Sequence, residues 1–368
     1  MAAVSGERDA AARLQDAVRA AIAGGTGLRI AGSGSKAQLT EMGAASAADR
    51  RSLLLSTAEH SGVLSHRPEE LVLTARSGTP LKLLEQTLAH NGQRLPFEPP
   101  RFHGGGTLGG AVAAGLSGPG RPWLGAVRDC VLGVELINGL GERLRFGGQV
   151  MKNVAGYDLS RLQAGAFGTL GVLLAVSIKL LPAPAVERTL VLELDPAEAL
   201  AACRRFARSA FPITATCHYQ GELRVRLSGA EAAVRWAAQE IGGRVEEAPR
   251  FWQSLRDHRH PFFAEASSLW RCSLPPAAQV LPVATQSGED CLTEWGGALR
   301  WWCTRRNPGE VRELVAARGG HALPFDGGFA ARQRAGVSPV AARLQSRLRE
   351  AFDPHGLFNP ELGAMDAD

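Results

Sequence analysis

"GGGTLGGAVAAGLSGPG", Gly104 to Gly120, sets eight glycines in seventeen positions. A glycine inside a regular helix or strand costs roughly 0.5–1 kcal/mol against alanine. The run therefore fits either a flexible linker or a backbone that something approaches closely. Leu108, Val112 and Leu116 lie within it, and strand and helix signals flank it on both sides, which weighs against a linker.

Upstream, residues 9–23 place Ala10, Leu14, Ala17, Val18, Ala21 and Ile22 on one stripe of an amphipathic helix, closed by "GGTG". A short apolar strand, Leu28 to Ala31, runs into "GSGSK", and apolar runs at 53–55 and 71–75 read as strands. "GTPLKLLEQTLAHNG" predicts a helix with Thr79 as N-cap, Pro80 in its first turn and Asn91-Gly92 at its end. Downstream, "CVLGVELINGLGERLRF" reads as a hairpin turning at Asn138 to Gly141. "YDLSRLQAGAFGTLGVLLAVSIKLLPAP" gives a short helix, a glycine-rich turn and a long strand stopped by Pro182 and Pro184.

The pattern then changes. Strands at 189–194, 213–219, 222–227 and 243–247, with helices at 196–209 and 229–240, follow a β-α-β-β-α-β order that favours a ferredoxin-like domain. "LQSRLREAF" predicts a helix stopped by "DPHG", and "LFNPELG" is expected to pack back on the first domain. The expected division is residues 1–184, 185–325 and 326–368, in an α+β chain with no internal repeat. A length of 368 residues agrees with two domains.

The formal charge of +5 is scattered, with four lysines among 41 basic residues and no basic run interleaved with stacking aromatics, which argues against nucleic acid. Six cysteines form no C-x-x-C pair and read as reduced cytosolic thiols, so no metal site is expected. With no apolar leader and no run of eighteen apolar residues, the expectation is a cytoplasmic chain that touches a membrane only through partners.

Gly32 to Ala37 and Gly104 to Gly109 both match G-x-G-x-x-G/A, but neither is followed by the helix, strand and terminal acid of a dinucleotide fold. No Gly-Lys dipeptide exists, which excludes a phosphate-binding P-loop. What remains is three separated glycine turns, "AGSGSK", "GGGTLGGAVAAG" and "AGAFGTLGV". Successive backbone N–H groups in such turns form anion nests suited to a pyrophosphate. Any one of them alone reads more readily as a tight bend, since glycine punctuates most turns, and the three together shift the balance.

The stretches "ELVLTARSGTPL", "LPFEPP", "TLGGAVAAGLSGP", "AVRDCVLGVELING", "RFGGQVMKNVAGYDLSRLQAGAFGTLGVLLAVSIKLLP" and "FDPHGLFNP" occur here in family order. In them the chain resembles the FAD-binding domain of the vanillyl-alcohol oxidase type, and within it the E-subunit family of bacterial glycolate oxidase, also called glycolate dehydrogenase. The resemblance implies FAD buried between two α+β subdomains, a smaller ferredoxin-like domain and a C-terminal helix returning to the first domain. It places Gly32, Ser33, Gly34, Ser35 and Lys36 at the pyrophosphate, and Gly106, Thr107, Leu108, Gly109 and Gly110 along the pyrophosphate and flavin. Ser117 and Arg128 match positions near the cofactor, and Gly165, Gly168, Gly171 and Val172 match the turn bordering the flavin or adenine. Lys152 is a cofactor contact or an ion-pair partner of Asp158. Asp158 itself is a contact or the cap of a helix starting at Leu159.

The family oxidises a 2-hydroxy acid such as glycolate, to glyoxylate, by hydride transfer to flavin while a base takes the hydroxyl proton. Catalytic flavin subunits of the wider family carry a histidine-rich motif, and "GGHALPF" around His321 lacks its second histidine and its aspartate. The resemblance thus implies an oxidoreductase subunit that relays electrons or assists assembly beside a catalytic flavin subunit and an iron–sulfur subunit. The alternatives are a self-sufficient dehydrogenase using His218, His258 or His321, and a flavin-fold scaffold. His103 reads as a loop histidine, "HRH" at 258–260 lacks a third metal ligand, and Trp301-Trp302 read as core.

Overall fold

The computed structural model describes residues 8–40, 52–149, 157–264, 268–325 and 338–362. The chain forms two compact units, one of residues 1–116, 126–182 and 327–368, the other of residues 117–125 and 183–326. The excursion of Ser117–Gly125 into the second unit has no counterpart in the sequence division.

In the first unit, helix Ala11–Gly24 precedes β1 (Gly27–Ala31), which pairs in parallel with β2 (Ser52–Ser56). A five-stranded antiparallel sheet runs in the order β3 (Val63–Arg67), β4 (Val72–Arg76), β8 (Val172–Lys179), β6 (Val131–Ile137), β7 (Arg143–Gly147). A two-residue pair, β5 (Gln93–Arg94) with β9 (Leu181–Pro182), accompanies it. β8 is central and buried on both faces. Leu173, Val176 and Ile178 join one core with Leu81, Leu84 and Leu108, whereas Val172 and Leu174 join another with Leu14, Val18 and Phe358.

The predicted hairpin forms because Asn138 Oδ1 accepts from the N–H groups of Leu140 and Glu142, while Gly141 adopts a φ of +73°. Helix Leu81–Ala89 also forms, but Pro80 is its N-cap and Thr79 is not. The Thr79 hydroxyl instead donates to Arg76 O at 2.7 Å, holding the preceding turn. The C-terminal helix Pro339–Phe352 returns to the first unit: Gly139 N donates to Phe352 O at 2.8 Å, and Phe146 meets the Phe352 ring edge-on.

The second unit carries more than the predicted four strands. β10 (Val186–Glu193), β11 (Ile213–Tyr219), β12 (Glu222–Gly229) and β13 (Arg244–Glu246) form the expected β-α-β-β-α-β set in the order β13-β10-β12-β11. The sheet then continues as β15 (Asp290–Glu294), β16 (Leu299–Cys303), β14 (Leu269–Ser273) and β17 (His321–Pro324). Strand by strand the second quartet repeats the first, so the architecture holds a repeat that the sequence reading missed. Its first crossover carries Pro275, Pro276 and Pro282 and no α-helix, which removes the helical periodicity that marks the first half.

Candidate functional site

The three glycine turns meet at one cleft of the first unit. The space between them, open solvent at its mouth included, is about 920 Å³. The loop Gly32–Lys36, leaving β1, forms one wall. Thr107, Gly109 and Gly110, at the start of helix Leu108–Ala114, form another, and Phe167, Gly168 and Gly171, before β8, form a third.

The turns serve different ends. The amides of Ser33, Gly34 and Ser35 donate to no protein group among the described residues. Gly34 holds a φ of +74°, and the loop closes through Ala37 N to Gly34 O at 3.0 Å. These N–H groups are therefore able to meet an anion. Lys36 sets its ammonium 5.6 Å from the centroid of the Phe102 ring, keeping a cation beside the loop.

The amides of Leu108, Gly109 and Gly110 are already engaged, donating to Thr79 O at 3.0 Å, Ser77 O at 2.7 Å and Thr107 Oγ1 at 3.2 Å. A Cβ on Gly109 would lie 2.6 Å from that of Ser77, and one on Gly32 would collide with Thr107 Oγ1. Close protein packing thus accounts for these glycines.

The remaining expected residues stand away from the cleft lining. Leu108 and Val172 are fully buried in the two cores. Gly106, with a φ of +127°, accepts from Leu81 N, and the Gly165 amide donates to Val112 O. Arg128 is exposed on the turn Val127–Cys130, and Ser117 belongs to the second unit. Asp158 caps locally, accepting from Ser160 Oγ at 2.9 Å and Arg161 N at 3.2 Å. Lys152 lies outside the described residues.

Three lining residues were not singled out by sequence. Ser77 is 1% exposed, and its Oγ has no hydrogen-bond partner among the described residues. Thr57 follows β2. Asn359 ties the site together from the far end of the chain, accepting from Ile30 N at 2.8 Å and donating to Phe167 O at 2.5 Å. The signal for Asn359 was the tail "FNP", whose contacts cross 329 and 192 residues of sequence.

Of the candidate bases in the second unit, His258 stacks on Phe263 at 4.3 Å, and burial pushes its pKa down to about 3. His218 Nε2 donates to Leu194 O at 2.8 Å, and burial lowers its pKa as well. Trp301 and Trp302 are buried in separate clusters on opposite sheet faces. His103 sits exposed on the turn Phe102–Gly104. No group of three metal-ligating side chains, and no helix long and apolar enough to cross a membrane, occurs among the described residues.

Residues 9–147 match the family described as FAD binding domain. Among solved structures, an alkyldihydroxyacetonephosphate synthase superposes with a TM-score of 0.65 over 95% of this chain and 74% of its own, at 14% identity, which is a likeness of fold. Glycolate oxidase subunit GlcD of Bacillus subtilis (strain 168) is 40% identical over 85 residues, 23% of this chain and 18% of that one. Glycolate oxidase subunit GlcE of Escherichia coli (strain K12) is 43% identical over 365 residues, 98% of this chain and 99% of that one. The cofactor is FAD, and the cleft fits it: open amides at Ser33–Ser35 suit a pyrophosphate, and the orphaned Ser77 hydroxyl suits a polar edge. The end-to-end match to GlcE, beyond the shared fold, places this chain in the GlcE family of glycolate oxidase subunits, among the FAD-binding oxidoreductases.

Proposed function

We propose that this chain is the FAD-bearing accessory subunit of a multi-subunit glycolate oxidase, relaying electrons or stabilising the assembly beside a catalytic flavin subunit and an iron–sulfur subunit. The observation that carries this reading is the identity to GlcE along nearly the whole chain, joined to a cleft with open amides. In this reading Ser33, Gly34 and Ser35 hold the pyrophosphate through backbone N–H groups, with Lys36 adding charge. Gly110, Gly168 and Gly171 border the rings, and Ser77 hydrogen-bonds a polar edge. FAD supplies the two-electron acceptor. Two of the three histidines weighed as a base are poorly placed for a self-sufficient enzyme, since His258 is stacked and deprotonated and His218 is tied to Leu194 O.

The test is the visible spectrum of the purified chain, alone and then with glycolate under anaerobic conditions, and again after mixing with the candidate partner subunits. Flavin bands that bleach only in the mixture are expected. Bands that bleach in the isolated chain would instead establish a self-sufficient dehydrogenase, and their absence even after FAD is supplied would leave a scaffold.

A further inference from the structure

Antiparallel register places Arg271 opposite Trp301 and Leu323, and Ser273 opposite Leu299 and His321. Leu299 in turn faces Glu294 across β15 and β16. Directly opposed residues share a sheet face, so Arg271, Ser273, Trp301, Glu294 and His321 look out of the same side. The opposite side holds Trp270, Cys272 and Trp302, packed with Val311 and Val315, while Trp301 packs with Trp252, Leu255 and Phe262.

Trp295 lies between two cations on this side. The Arg121 guanidinium is 4.7 Å from its ring centroid and that of Arg271 is 5.4 Å away, while Trp295 Nε1 donates to Gly118 O at 3.1 Å and so fixes the segment that carries Arg121. Among the described residues neither arginine has an acid within ion-pair distance, and Arg271 makes one long bond, Nη1 to Ser273 Oγ at 3.3 Å. Comparable arginines of this unit are fully engaged: Arg306 binds Glu289 at 2.6 Å, and Arg300 gives its donors to backbone carbonyls of Ala278, Gln279 and Gly297. Arg271 is half-buried, and its fork has no carboxylate or carbonyl to bind among the described residues.

We propose that this face of the second unit binds a small carboxylate monoanion, held by the forked guanidinium of Arg271 with Arg121, Ser273 and His321 around it. A planar fork matches a carboxylate in a bidentate way, and the buried Trp295 ring backs both guanidiniums. The charge balance selects the monoanion. Burial and the neighbouring Arg121 lower Arg271 to about 10, so it stays protonated at neutral pH. Burial and Arg271 lower both His258, to about 3, and His321, leaving both imidazoles neutral. Asp257 is neutralised by Arg256, and the second guanidinium on it, Arg259, is 62% exposed, where solvent screens its charge. Two guanidiniums against the single Glu294 carboxylate leave one positive charge, which a monocarboxylate neutralises and a phosphate dianion exceeds. That the anion is a 2-hydroxy acid or its 2-oxo product rests on the function proposed above; the existence of the site does not.

The probe is 2-hydroxyisobutyrate, a hydroxy acid without the hydrogen that hydride transfer removes, followed by ligand-observed NMR on the FAD-loaded and flavin-free full chain. Saturable binding to both forms is expected. Arg271→Met is expected to weaken it by about 30-fold, Arg121→Met by about tenfold, and Arg271→Lys to restore only part of it. Retained FAD absorbance and an unchanged melting temperature would show that the variants fold. No saturable binding by the wild-type chain, undiminished binding by folded Arg271→Met, or equally good competition by inorganic phosphate or by the methyl ester would each overturn the proposal. Intact flavin bands with no carboxylate binding refute this inference alone, whereas carboxylate binding without flavin refutes the function alone.

Discussion

Two of the three glycine-rich turns that build the cleft look alike in sequence and differ in what requires the glycine. At Gly109 a Cβ would meet Ser77 atoms at 2.6–3.2 Å, and the amide is committed to Ser77 O. At Gly34 nothing lies within 4 Å of the missing Cβ, and the amide has no partner among the described residues. One glycine lets two protein segments touch. The other leaves backbone open to a ligand and permits a left-handed turn. Glycine count marks both, so only the neighbours distinguish a packing glycine from a binding glycine.

Substitution separates the two roles. Gly109→Ala forces backbone apart between helix Leu108–Ala114 and the turn after β4, and should destabilise the chain by about 3 kcal/mol, the upper part of the overpacking range. Its FAD content should fall only as the folded fraction falls, which chemical denaturation with and without FAD will reveal. Gly34→Ala pays the left-handed conformation alone, about 1 kcal/mol, yet places a methyl among the open amides. Its melting temperature should drop by a few degrees while FAD affinity drops at least tenfold. If Gly34→Ala retains FAD as tightly as the parent chain, the loop is a bend and the comparison collapses. Should Gly109→Ala lose FAD while keeping its stability, the helix start is a binding element after all.

How much of this was legible follows from sequence distance. The hairpin at Asn138 to Gly141, the amphipathic helix behind Leu14 and Val18, and the β-α-β-β-α-β order were readable because local periodicity and turn chemistry determine them. The second quartet of strands was not, because a proline-rich crossover replaced the helix that would have signalled it. Thr79 looks like a cap in sequence, yet its hydroxyl had a nearer acceptor in Arg76 O. In the cleft, the glycine turns were visible. Asn359 and Ser77 were not, since an isolated polar residue acquires meaning only when distant segments close around it.

Ser77 offers the finest separation between packing and binding, because its two effects carry opposite signs. Its backbone supports Gly109 through the carbonyl, which no side-chain change removes. Its hydroxyl is buried without a partner among the described residues, an arrangement that costs about 1 kcal/mol in the flavin-free chain. Ser77→Ala should therefore raise the stability of the flavin-free chain slightly while weakening FAD by about three- to tenfold, the loss of one hydrogen bond. Denaturant titration and FAD equilibrium binding on the same preparation check both halves. A variant whose stability and affinity move together would mean that the hydroxyl serves the fold, and would leave the amides of Ser33 to Ser35, with Lys36 beside them, as the polar groups directed at the ligand.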